Sequence, residues 1–400
     1  MPSPGSRQQC LHADCKDTDT RYPGPALYLN HLEIQALIRV SFAAHGNGSQ
    51  RPSPQGARAL MSLHSAYGFD ISVIVVSFNT RDLLWKCLQS LLAECERLPI
   101  GLTAEVLVVD NASSDGSADM VASEFSACSV PVRLFRNSLN LGFGVANNLA
   151  LESAQGRYPI LLNSDAFLHP GALARAIKHM DADPTAGIGG ARLVGSDGQW
   201  QPSARQFPSI ARDALVLTGL ASRFARSRVF GAPDRSWADP GEPATVDWVP
   251  GAFMILRREA LAATGFFDPA FFLYCEEVDL CRRMKAAGFR VQYWPDIVVT
   301  HLGGESGRQL KSLTFSETGA QVVLWRMRST LLYYRKHHGW QAQLARRLEE
   351  CIYTLRRWRN QLSIDRARRE RAKEFRLLLN LMRRAWKETD GGRISLPQPW

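Results

Sequence analysis

The apolar positions of this chain follow two rhythms. Short runs come first: ISVIVV from Ile71, VLVV from Val106 and ILL from Ile160 are rich in β-branched residues, too short for helices, and each is followed by polar residues. Between them the interval lengthens. From Arg81 to Glu96 leucines recur at 84, 88, 91 and 92, the spacing of a helix with one buried face. A second amphipathic stretch follows the ASSDGS loop at 112–117, and a short strand, VRLFRN, comes after it. Strands alternating with helices predict right-handed βαβ units on a parallel sheet, an α/β fold. From Val322 onward the pattern is that of long helices. Leu344, Leu348, Cys351, Ile352, Leu355 and Trp358 form one apolar stripe, with Arg346, Arg347, Arg356, Arg357 and Arg359 in the other positions.

The residues at which the strands stop carry the chemistry. In YPILLNSDAFL, residues 158–168, a buried strand over 160–163 breaks into Ser164 and Asp165, and EVLVVDN delivers Asp110 to a strand end in the same way. Ligands of open α/β sheets collect outside the carboxyl ends of the strands, where Asp165 would meet a metal or a phosphate. Capping of a turn is the simpler use of such an aspartate, and for Asp110 and Asn111 an Asx turn could coexist with binding. A dinucleotide fingerprint is not supported. GFGVAN at 142–147 has Asn147 where the third glycine belongs, and the first strand-to-helix turn has no glycine.

Composition narrows the class. The hydrophobic share of 45% and charged share of 22% are those of a globular protein, and 400 residues allow one large α/β domain with appendages. The net charge of +10 is local: residues 321–390 hold 18 Lys and Arg against 7 Asp and Glu. No apolar run approaches the roughly 18 residues of a bilayer span, and the first residues lack the order of a secretion signal, so a cytoplasmic protein is expected. The eight cysteines include no CxxC pair, which predicts reduced thiols; Cys10, His12 and Cys15 have no second ligand pair, so zinc is not expected there. Residues 1–69 are rich in Pro, Gly, Ser and Arg and are expected to be poorly ordered, with Met61 an alternative start. The remaining divisions are a catalytic domain over 70–320, a basic helical region over 321–390 and a tail over 391–400.

Five segments in order, SFNTRDLLWKCLQSL, VVDNASSDGS, NLGFGVANN, LLNSDAFL and FFLYCEEVDLCRRMKAAGFRV, resemble the inverting glycosyltransferases of family 2, most of all the rhamnosyltransferase-like branch, over about residues 70–340. The resemblance implies a GT-A fold, a nucleotide-binding sheet flanked by helices and joined to an acceptor-binding half, here with C-terminal amphipathic helices added. It implies a nucleotide-sugar donor, dTDP-rhamnose or a UDP-sugar, and a cell-surface glycan or lipid-linked acceptor. By resemblance Ser77 and Asn79 line the base and ribose, Asp110 and Asn111 accept or brace the nucleoside, and Asn140 with Gly142 closes the pocket. Asn163 would reach the ribose or a bound water.

Such a transfer develops charge on the departing diphosphate, which Mg²⁺ or Mn²⁺ would offset. The usual DxD triplet of the family is Asn163, Ser164, Asp165 here, one carboxylate short. His301, which ends a strand-like run and opens HLGGESG, matches a chelating histidine of relatives and is the expected second ligand. A base must take the acceptor's proton. Glu276, Glu277 and Asp279 crowd a helix start, where acidic residues ordinarily serve the helix dipole. Helical spacing sets Glu277 on the face of Leu280, Cys281 and Met284, and Glu276 with Asp279 beside Arg283. Glu277 fills the family's presumed base position, one methylene longer than its usual aspartate, and Asp279 is the second choice. WVPG at 248–251 resembles the loop under the donor sugar and acceptor, so Trp248, Gly251 and Glu276 are expected at the substrate; Trp248 could equally be core. Arg205 could meet a phosphate or an acceptor group.

Three readings stay open. A nucleotidyltransferase would also set a metal carboxylate on an α/β sheet, and a degenerate catalytic domain could serve as a membrane-associated scaffold. The basic helices could hold the chain against anionic lipid at the inner membrane face, or pack on this chain or a second copy. Nucleic acid is not an expected partner, because no aromatic stacking platform accompanies the charge.

Overall fold

The computed structural model describes residues 67–303 and 317–396. The stretch 1–66 with Cys10, His12, Cys15 and Met61, the HLGGESG loop beyond Gly303 and the last four residues lie outside the described residues.

The first half follows the alternation. β1 (Phe69–Ser77), α1 (Arg81–Glu96), β2 (Ala104–Asp110), α2 (Ser117–Glu124), β3 (Val132–Arg136), α3 (Gly142–Ser153) and β4 (Gly156–Asn163) succeed one another, and the strands pair in the order β3-β2-β1-β4, all parallel. The period of two along β1 divides the core. Ile71, Val73 and Val75 pack with Leu84, Leu88 and Leu91 of α1 on one face, and Ile74 packs with Ala146 and Ala150 of α3 on the other.

The second half departs from an all-parallel sheet. It contains β5 (Ala166–Leu168), α4 (Ala172–Ala182), β6 (Ala186–Val194), β7 (Trp200–Gln201), α5 (Ile210–Thr218), α6 (Leu220–Arg223), β8 (Ala244–Val246), β9 (Phe253–Leu256), α7 (Arg258–Thr264), α8 (Glu276–Ala286) and β10 (Arg290–His301). β9 lies between β4 and β6 and is antiparallel to both, and the sheet continues through β10 to β5 for ten strands among the described residues. All four residues of β9 are buried. A strand enclosed on both faces reads as continuous apolar sequence, which carries no sign of its direction. β10 slips register between Trp294 and Val298, next to Pro295, which has no N–H for the ladder.

Three long helices close the described chain: α9 (Glu317–His338), α10 (Gln341–Gln361) and α11 (Arg366–Glu388). α9 joins the core of the sheet, with Leu332, Tyr333 and Tyr334 in the same apolar cluster as Leu280, Cys281 and Met284 of α8. Leu324, Met327 and Leu331 of α9 form a second cluster with Tyr353 of α10 and Leu379, Leu381, Met382 and Ala385 of α11. α10 does not bury its apolar stripe. Ala342, Ala345, Glu349, Tyr353 and Asn360 face inward, while Leu355 and Trp358 are 59% and 63% exposed. The inward face is held by polar contacts: Tyr353 donates to Glu349 at 2.8 Å, Glu349 lies 3.6 Å from Arg326, and Arg356 donates to the Leu217 carbonyl at 2.5 Å.

Candidate active site

Register decides what meets at the sheet's carboxyl edge. Ser77 of β1 is level with Asp110 of β2, and Val76 is level with Asn163 of β4. The chain then turns through Ser164 and Asp165 into β5, which pairs antiparallel with the end of β10 so that Ala166 faces His301. This pairing sets residues 136 positions apart side by side, with Asp165 Oδ1 3.4 Å from His301 Nε2 and Asn163 Nδ2 also 3.4 Å from that nitrogen. Gln201 of β7 fixes the imidazole. Its amide donates to the His301 backbone carbonyl at 2.9 Å, which orients its Oε1 toward Nδ1 at 3.2 Å. An oxygen there only accepts, so Nδ1 carries a proton, and in the neutral ring Nε2 is the nitrogen with the lone pair, facing Asp165 and the Asn163 amide. Gly303 makes room for the ring, since a Cβ on it would lie 1.9 Å from His301 Cε1.

Among the described residues no group of three or more His, Cys, Asp or Glu forms a metal cage. One carboxylate and one imidazole with its lone pair directed inward nevertheless fit a cation that takes its other ligands from phosphate and water. The Asn163 side chain contributes polarity at the same spot.

The residues expected around the nucleoside separate into two kinds. Asp110 accepts from the Ser113 amide at 3.1 Å through Oδ2, and its buried Oδ1 has no partner, an acceptor left for a ligand. The others are engaged with the protein itself. The buried Ser77 hydroxyl meets Thr80 at 2.9 Å, and Thr80 reaches Ser164 at 3.0 Å, tying the first turn to the Asp165 turn. Asn79, with φ +53°, accepts from Ser114 N at 2.8 Å and holds the 113–115 loop. Asn111 donates to Asn140 at 2.8 Å and to the Gly142 carbonyl at 3.2 Å, and accepts from Asn137 and Leu141, so the two loops are stitched through Asn111, whose side chain is fully used. Gly142 has φ +80°, and a Cβ on it would strike the Phe272 carbonyl at 2.2 Å; glycine is needed there for the protein's own backbone.

Tyr274 and Cys275 lead into α8 with φ of +71° and +68°, a bend that L-residues adopt only where the surroundings impose it. Beyond it the three carboxylates differ in kind. Asp279, fully buried, meets Arg283 at 2.8 Å and Lys336 and His337 of α9 at 2.7 Å. Burial alone would raise its pKa, yet these hydrogen bonds and charges hold it down at about 2. A carboxylate so engaged is a brace between α8 and α9. Glu276 is 4% exposed, and burial with the neighbouring Glu277 charge pushes its pKa well up. Glu277 is half-buried, and its pKa is also raised by burial, against backbone hydrogen bonds and the Arg205 charge. Each glutamate keeps one buried oxygen without a partner. The two helical faces inferred from spacing are therefore not one buried and one exposed, because α9 covers the Asp279 side as well.

Trp248 is buried and donates to the Gln206 carbonyl at 2.9 Å, and the Arg205 guanidinium lies 4.6 Å from its ring centroid. It is a core residue that carries Arg205, which is held in turn by Asp234 at 2.5 Å. Gly251 lies against the Phe143 ring, 3.3 Å from where its Cβ would be. The 248–252 segment touches both halves of the site: the Ala252 carbonyl accepts from Asn163 N at 3.1 Å, and the Val249 backbone meets the Cys281 thiol of α8. Gln201, Lys336 and His337 had no signature in the sequence, since each acts through a partner remote in the chain.

The family model of glycosyl transferase family 2 matches residues 72–262. The chain is 27% identical over 281 residues to the N-acetylglucosaminyl-diphospho-decaprenol L-rhamnosyltransferase of Mycobacterium tuberculosis, covering 68% of this chain and 86% of that protein. It is 25% identical over 273 residues to the rhamnosyltransferase WbbL of Escherichia coli, covering 66% and 92%. Among solved structures, the mannosyltransferase PcManGT of Pyrobaculum calidifontis in complex with GDP-Man and Mn²⁺ aligns with a TM-score of 0.44 and 18% identity over 90% of this chain and 96% of that one. Residues 72–262, with the sheet edge that carries Asp110, Asn163 and Asp165, are a family 2 glycosyltransferase domain.

Proposed function

We propose that the chain is an inverting glycosyltransferase that moves rhamnose from a nucleoside diphosphate donor to a glycan on a lipid-linked carrier. The observation that carries the reading is the approach of Asp165 Oδ1 to His301 Nε2 at 3.4 Å, on the same carboxyl edge of the sheet as Asp110 with its unsatisfied Oδ1. Sugar transfer, rather than nucleotidyl transfer, is favoured by the family 2 domain, the sugar by the names of both relatives and the acceptor by the name of the mycobacterial one.

Asp165 and His301 would hold a divalent cation, Mg²⁺ or Mn²⁺, whose charge offsets that developing on the diphosphate. Asp110 would accept a hydrogen bond from the nucleoside, with Asn79, Asn111 and Asn140 keeping its loops in place. Glu277 would take the acceptor's proton: it is half-buried, it has an oxygen without a partner, and desolvation strengthens it as a base. Since its pKa lies above the ordinary carboxylate value of about 4.3, turnover should fall with decreasing pH while the acid limb is still above that value.

A panel of nucleotide sugars with Mn²⁺ tests the reading, scored by release of nucleoside diphosphate. dTDP-rhamnose should be turned over, and Glu277→Gln should lose about 10²-fold or more of that activity while binding the nucleotide as before. Release of pyrophosphate, or full turnover by the variant, would overturn it.

A further inference from the structure

The outward face of α10 carries none of the residues placed at the candidate active site, and its residues are the wrong kind for water. Counting back from Trp340, whose dihedrals are already helical, Trp340, Leu344, Leu348, Cys351, Leu355, Trp358 and Leu362 recur at intervals of four or three and occupy one side of the helix. Trp340, Leu355, Trp358 and Leu362 are 59–67% exposed, Cys351 is exposed, and Ile364 in the following turn is 97% exposed. Leu344 and Leu348 are half-buried. The stripe is about 33 Å long at 1.5 Å per residue, with a tryptophan near each end. Among the described residues no segment covers it, and α10 meets the rest of the fold through the Glu349, Tyr353 and Arg356 side instead. Ala342, Ala345 and Tyr353 supply the helix's apolar contacts with the fold on its inward side, so the outward leucines and tryptophans are left without an apolar partner among the described residues.

We infer that this face docks on a bilayer surface bearing anionic phospholipid. Charge selects this occupant. Residues 341–376 hold eleven Arg and Lys against five Asp and Glu, and Arg347, Arg359, Arg366, Arg368, Arg369 and Arg371 are exposed on and beside the helix. Two copies meeting stripe to stripe would bring these arginines against each other, whereas phosphate headgroups offset them, each contributing about 1 kcal/mol near such a surface. The leucines would enter the acyl boundary, and the tryptophans would sit at headgroup level with their ring nitrogens wet. The helix lies on the membrane and does not cross it, since no described helix is long and apolar enough to do so. The inference is independent of which sugar is transferred.

Co-sedimentation of the full chain with vesicles of phosphatidylcholine, alone or mixed with phosphatidylglycerol, tests it. The chain should pellet with the mixed vesicles, less so as salt rises, and only weakly with phosphatidylcholine alone. Leu355→Glu combined with Trp358→Glu should lower partitioning by at least about tenfold, with the thermal midpoint and solution mass unchanged because both side chains are exposed. Arg366→Glu with Arg369→Glu should weaken binding to the mixed vesicles. A wild-type chain that stays in the supernatant with both vesicles, or a Leu355/Trp358 variant that pellets like wild type, would overturn the inference. So would a wild-type dimer that this variant dissociates with no vesicle binding, which would make the stripe a contact between copies.

Discussion

Gln201 shows how a single side chain can decide the chemistry of another. Its amide is locked by the His301 carbonyl, and that lock dictates which imidazole nitrogen is bare. Gln201→Leu should leave the fold intact and weaken Mn²⁺ binding in the presence of a nucleoside diphosphate by about 10- to 100-fold, as loss of a ligand's supporting partner does. Calorimetry on the variant measures this directly, and unchanged affinity would mean that His301 is not held for a cation. The sequence made Asp165 and His301 candidates because strand ends and a family resemblance both point to them. It concealed Gln201, since a glutamine in a two-residue strand has no periodicity to betray it. Asn111 and Asn140 are hard to read from sequence for another reason: an asparagine that binds a ligand and one that stitches loops are the same letter, and only the fold shows that the Asn111 side chain is fully used between neighbouring loops.

At the level of elements, α5 is fastened to α9 by a buried acid. Tyr334 donates to Asp213 Oδ2 at 2.5 Å, and burial raises the Asp213 pKa to about 6 although that hydrogen bond acts to lower it. The folded protein thus holds this proton more tightly than the unfolded chain does. The contribution is fully present below the unfolded value of about 4 and is lost as pH rises through 6. Asp213→Asn keeps an acceptor for Tyr334 without the charge. It should flatten the decline in stability between pH 4 and pH 6 and leave the variant more stable at pH 7 by about 1 to 3 kcal/mol. Thermal midpoints of the two proteins across this range are the check, and parallel profiles would refute the assignment. Helix α1 was legible to the residue because its leucines face a core; α10 has equally regular leucines, and regularity could not say which side the fold would cover. The direction of β9 was hidden for the same reason, four apolar residues being alike in either sense.

For the molecule as a whole, the boundary drawn at residue 320 from composition does not coincide with a gap in packing. Asp279 is braced by Lys336 and His337, and Arg328, 3% exposed, is paired with Glu388 at the far end of α11. Ending the chain at Gly339 would strand that arginine and uncover Leu324, Met327 and Leu331. Loss of one partner of a buried pair typically costs about 3 to 5 kcal/mol, so the shortened chain should be insoluble or melt well below the full one. A soluble fragment with an unchanged midpoint would establish the helices as a separate domain. The local excess of basic residues was visible in the sequence, but its use was not, because the same arginines serve as braces on one side of a helix and as free charge on the other.

One consequence follows from the pairing of β5 with β10. The two arms of the proposed clasp belong to a turn in the middle of the domain and to the last strand of the sheet, which is hydrogen-bonded between β6 and β5. During synthesis, a ribosome that has delivered everything as far as α8 has made the Asp165 turn, the asparagine-stitched loops and Glu277, yet not the imidazole. If that clasp holds the cation the transfer uses, an interrupted product would be inert rather than leaky, and donor would not be squandered on water before the sheet is complete.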